Sequence, residues 1–67
     1  MERKQFVETL LSDTIGTAVS WIDHLEYDES RELVAIVCDN GHRYYANVAC
    51  DSNRAVIQDV MKEVVRH

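Results

Sequence analysis

The chain contains no proline and only two glycines, Gly16 and Gly41, among its 67 residues. Turns must therefore be made largely by polar side chains, and a glycine-rich phosphate loop is excluded. Bases are scarce: seven Lys and Arg stand against twelve Asp and Glu, a net charge of −5. That balance disfavours direct nucleic-acid binding, which relies on cations to displace counterions. No apolar run approaches the roughly 20 residues a bilayer requires, so no membrane partner is expected. The opening MERKQFVETLLSD alternates charged and apolar residues, unlike a secretory signal. Two cysteines, Cys38 and Cys50, are too few to staple a secreted scaffold and are not in CxxC spacing. The expectation is a cytoplasmic protein with both thiols free, acting as small core residues.

What is abundant is apolar surface. Thirty-one residues, 46% of the chain, are hydrophobic. They are read as one domain over residues 1–67, at a size where a single core only just suffices.

The apolar spacing is organised. Phe6, Val7, Leu10 and Leu11 form the stripe of a short helix from Glu2 to Leu11, closed by Ser12-Asp13-Thr14, with Gly16 at a turn. From Thr17 to Tyr27, alternation of Val19, Trp21, Leu25 and Tyr27 reads as a strand with a bulge near Ile22-Asp23. Asp28-Glu29-Ser30-Arg31 is a polar turn. Leu33 to Cys38 and Arg43 to Cys50 flank Asn40-Gly41, the pair favoured in two-residue type I′ hairpins. In that register Val37 faces Tyr44, Ala35 faces Ala46 and Leu33 faces Val48. The cysteines then lie on the order of 20 Å apart along the ribbon, beyond disulfide reach. Asp51 to His67 reads as a helix with Asp51 or Ser52 as N-cap and a stripe of Val56, Ile57, Val60, Met61, Val64 and Val65.

The expected fold is α+β: a three-stranded antiparallel β-meander with a short N-terminal helix and a longer C-terminal helix packed on the sheet. Both sheet faces read as apolar, and such a sheet needs cover on both sides. Val34, Ile36 and Tyr45 are the residues expected at a self-association face, which makes the chain a candidate homodimer.

Chemistry-bearing residues are few. His24 with Asp23, Glu26 and Asp28 is the nearest approach to a metal site, but a competent zinc centre needs three or four converging ligands. A solvated strand face is the plainer reading. Neither cysteine has a paired histidine, so no catalytic centre, metal or cofactor is expected. Trp21, Tyr27, Tyr44 and Tyr45 suit core and interface packing better than a nucleic-acid stacking platform, which needs a basic groove. Charge is uneven: residues 13–39 carry seven acids and one base, and the rest carry five acids and six bases. Asp23, Glu26, Asp28, Glu29 and Glu32 form a candidate acidic patch for a basic protein partner.

From His24 to Val64 the sequence resembles short uncharacterised proteins encoded in gut bacteria and on their mobile elements. Tyr45-Ala46-Asn47-Val48 and Asp51-Ser52, followed by Ala55 and Asp59-Val60, carry the resemblance. It implies the fold and assigns no activity. A weaker similarity, in element order, is to small acidic anti-CRISPR proteins that inhibit Cas9 with a DNA-like surface. The expectation is a non-enzymatic protein-binding or accessory domain, homodimeric. The alternative is an acidic DNA mimic that blocks a nucleic-acid-binding enzyme.

Overall fold

A computed structural model describes residues 2–49 and 52–67. Cys50 and the alternative cap Asp51 fall outside these residues. The elements are α1 (Arg3–Gln5), a π-helical segment (Phe6–Leu11), α2 (Ser12–Ala18), β1 (Ile22–Asp28), β2 (Leu33–Cys38), β3 (Arg43–Asn47) and α3 (Asn53–Arg66). The expected α-β-β-β-α arrangement is what the chain adopts.

The first three elements run as one N-terminal helix, which passes through Ser12-Asp13-Thr14 instead of stopping there. Ser12 is buried and its Oγ accepts the Leu25 amide at 2.8 Å, so a residue with capping propensity is used for tertiary contact instead. In the wide turn the Ser12 amide reaches back to the Val7 carbonyl, five residues away. The Thr9 and Thr14 hydroxyls donate to the Gln5 and Leu10 carbonyls around it. Widening the turn brings Val7, Leu11 and Ile15 toward one line, and all three are buried.

The strands pair antiparallel in the order β1-β2-β3. The bulge expected near Asp23 is present: Ile22 pairs with Cys38, while His24 already pairs with Val37. One extra residue lets Ile22 and Leu25, three apart, both enter the core. Residues Glu29 to Glu32 connect β1 to β2, anchored by the Asp28 carboxylate, which accepts from the Ser30 and Arg31 amides.

The β2–β3 register differs by one residue from the expected one. Val37 pairs with Arg43, Ile36 with Tyr44, Ala35 with Tyr45 and Val34 with Ala46. A type I′ turn needs positive φ at both Asn40 and Gly41, but only Gly41 has it, at +87°. The Gly41 amide instead donates to the Cys38 carbonyl at 3.0 Å, and the Cys38 amide to that of His42 at 2.8 Å. Asp39-Asn40-Gly41 is thus a three-residue loop, a type I turn closed by a left-handed glycine. A slip of one residue turns every β3 side chain to the other face.

The consequence is a correction to the expected self-association face. Val34 and Ile36 are 0% exposed and face both helices, whereas Tyr45 is 50% exposed on the opposite side. Val7, Leu11 and Ile15 from the N-terminal helix and Val56, Val60 and Val64 from α3 meet Leu25, Val34, Ile36, Ala46 and Val48 in one core. Both helices cover the same face. On the other, Ala35 and Val37 are shielded by their cross-strand neighbours Glu26, Tyr45, His24 and Arg43.

The two margins of the sheet are treated differently. Along β1, the outward amide of Leu25 donates to Ser12 Oγ and that of Tyr27 to Glu8 Oε2, each at 2.8 Å. Gly16 continues this i, i+4 row; a Cβ there would lie 3.4 Å from the Asp23 carbonyl, so the helix rests directly on the strand. At β3, the Cys38–His42 and Glu32–Val48 bonds set the alternation, which turns the main-chain groups of Arg43, Tyr45 and Asn47 outward. No bond from these three amides to a side chain or turn occurs among the described residues.

Candidate functional site

An apolar concavity lies between the two helices. α3 is capped by Ser52, whose Oγ accepts the Ala55 amide at 3.2 Å. It buries only Val56, Val60 and Val64 of its six-residue apolar stripe. Ile57 and Met61 are turned toward the N-terminal helix, where they face a row of Phe6, Leu10, Thr14 and Ala18 at i, i+4 spacing. Thr14 and Ala18 are too small to fill the space opposite Ile57 and Met61. A groove of about 480 Å³ remains, floored by Leu11 and Ile15. Leu10 is 54% exposed and Ile57 39%, and Val65 lies open one turn beyond Met61. No titratable side chain lines the groove. It therefore provides apolar contact area and lacks acid–base groups.

The solvent side of the helix layer is charged by rows at the same spacing. Thr9, Asp13 and Thr17 are exposed along the N-terminal helix, and Arg54, Gln58 and Lys62 along α3. One rim of the groove is thus neutral to acidic and the other basic.

The outer sheet face carries the expected His24 cluster in a closed form. His24 Nδ1 lies 2.6 Å from Asp23 Oδ2, and its Nε2 lies 2.8 Å from Glu26 Oε2. The two carboxylates raise the pKa of His24 above its usual value, the Glu26 hydrogen bond most. Arg43 Nη1 donates to Glu26 Oε1 at 2.9 Å and, ahead of His24, holds that carboxyl down to about 2. Both ring nitrogens of His24 are engaged by carboxylates, which leaves no lone pair for a metal. No group of three or more potential ligands occurs among the described residues.

The five acids of the expected patch are not brought together as free charges. Asp23 and Glu26 are tied to His24 and Arg43. Asp28 is pulled down to about 2, chiefly by the Ser30 hydroxyl and then by Arg31, whose Nε donates to it at 2.8 Å. Glu29 and Glu32 remain exposed in the β1–β2 turn. Counting charge by sequence window missed Arg43, which lies across two strands from Glu26.

The aromatic residues pack mainly on one another and the core. Tyr44 meets Trp21 edge-on at 6.3 Å and stacks on His67 at 3.6 Å, and His67 Nε2 reaches Glu63 Oε1 at 3.1 Å. Tyr45 alone projects from the outer face.

Comparison with protein-family models, curated proteins and solved structures finds no match. The site thus has to be read from its own chemistry. Among the described residues no helix is long and apolar enough to cross a membrane. Leu10, Ile57 and Met61 are legible in the sequence only within two separate stripes, and Thr14 and Ala18 fall in neither, since the expected helix closes before them. Their meeting required both helices to lie on the same sheet face.

Proposed function

We propose that the protein is a non-catalytic protein-binding module whose working surface is the groove between the N-terminal helix and α3. The observation that carries this reading is the contiguous apolar lining, with Leu10 and Ile57 exposed and Phe6 and Met61 half-buried. Sites for small polar ligands place a few convergent polar groups in an apolar pocket. This groove has one hydroxyl, that of Thr14, and it is already donated to the Leu10 carbonyl. An open apolar trough between helices suits the nonpolar face of another helix. Burial of that surface supplies the driving force, at roughly 25 cal/mol per Å² before the costs of association.

The test uses a short amphipathic Leu/Lys helical peptide as probe, followed by amide chemical shifts of the labelled protein. Shifts should map to residues around 6, 10, 14, 18, 57 and 61. Leu10→Asp and Ile57→Lys should remove them while leaving the far-ultraviolet circular dichroism unchanged. Shifts centred on the outer sheet face, or retained in both variants, would overturn the reading.

A further inference from the structure

We infer that the occupant of this groove is a second copy of the same chain, joined about a two-fold axis that runs along the groove. The inference rests on the groove being the binding surface and adds the identity of what fills it. Two arrangements can bring the helix layers of two copies face to face. An axis across the groove sets each helix over its own equivalent, so the Arg54–Lys62 row of one copy meets the same row of the other. An axis along the groove sets the N-terminal helix of each copy over α3 of its partner. Asp13 then faces the basic row of Arg54 and Lys62, twice in the assembly, and the Leu10 side chain, 54% exposed, enters beside Ile57 and Met61. The charge pattern of the rims selects the second arrangement.

A stable interface takes about 800 Å² from each partner. That is close to a fifth of the 4322 Å² this chain exposes. The groove supplies an apolar centre, and the exposed polar rows of the two helices border it. Such an apolar core within a polar rim is the usual anatomy of a protein interface. The contact is isologous and closes on itself, so it ends at a dimer.

The experiment is a charge-reversal complementation read by sedimentation equilibrium. Wild type should sediment as a concentration-dependent dimer. Asp13→Lys alone puts like charges opposite Arg54 and Lys62, and Arg54→Glu with Lys62→Glu puts them opposite Asp13. Each variant alone should dimerise at least about tenfold more weakly than wild type. Mixed in equal amounts, the two variants restore both opposite-charge contacts and should form a heterodimer of near wild-type strength. Neither set of substitutions touches the core, and circular dichroism is the check that each variant folds. Variants that dimerise like wild type, or a mixture that fails to recover, would overturn the two-fold arrangement. A monomeric wild type that still binds the amphipathic peptide would overturn the second copy as occupant and leave the binding surface standing. Loss of both would remove the two readings together.

Discussion

His24 and Glu26 stand two residues apart on β1 and share a 2.8 Å contact that ties a titrating ring into the Arg43 ion pair across the sheet. Because the folded pKa of His24 is raised, its contribution is complete below its unfolded value of about 6.5. It is lost as pH climbs through the higher folded value. Glu26 has the opposite sign: held near 2, its contribution is present above the ordinary carboxylate range and lost as pH falls toward 2. Thermal stability should therefore fall modestly as pH rises above about 6.5, and His24→Gln should flatten that slope. The same slope in the variant would show that His24 does not carry it.

Ser12→Ala removes the acceptor for a buried main-chain donor. An unmet buried amide costs about 1–3 kcal/mol, so urea unfolding should show a loss in that range. Hydrogen exchange should accelerate at the Leu25 amide before it does elsewhere in β1. Unchanged protection there would mean that the hydroxyl is dispensable.

Among the described residues two positions have positive φ, with opposite expectations. Glu32 sits at +52°, held there as its carbonyl accepts the Val48 amide at 3.0 Å, and glycine adopts that region without steric cost. Glu32→Gly should raise stability by about 1 kcal/mol. Gly41 sits at +87° with open space around its Cβ position, so Gly41→Ala should lower stability by about 1–2 kcal/mol through backbone strain alone. Gly41→Asn should cost less. Chemical denaturation of the three variants checks the order.

The assignment of sheet faces is tested by pairing Ile36→Ala with Tyr45→Ser. Ile36 is fully buried, and its truncation should cost about 2–5 kcal/mol. Tyr45 is half exposed, and its replacement should cost well under 1 kcal/mol. Equal costs would restore the register in which these two residues share a face.

Much of this fold was legible in advance because local periodicity sets it. The spacing of Val56, Val60 and Val64 specifies α3, and the broken alternation around Asp23 marks the bulge. The errors arose where a distant partner decides the outcome. Ser12-Asp13-Thr14 looks like a helix end until Leu25 takes the serine hydroxyl. Asn40-Gly41 is compatible with two loop lengths, and the choice between them exchanged the buried and exposed sides of β3. That single residue moved the sticky surface from the sheet to the helices. The pairing within the acidic patch was hidden for a related reason: charge along a sequence window does not register the cross-strand Arg43.

The row of Glu8, Ser12 and Gly16 against β1 also limits how this protein can aggregate. A strand from another molecule finds the amides of Leu25 and Tyr27 already occupied, so addition is blocked at that margin. Only the β3 margin stays available, and a sheet that can grow from one side alone stops at a pair. The N-terminal helix, seated on β1 through Gly16, thus acts as a chain terminator against edge-to-edge growth of the sheet.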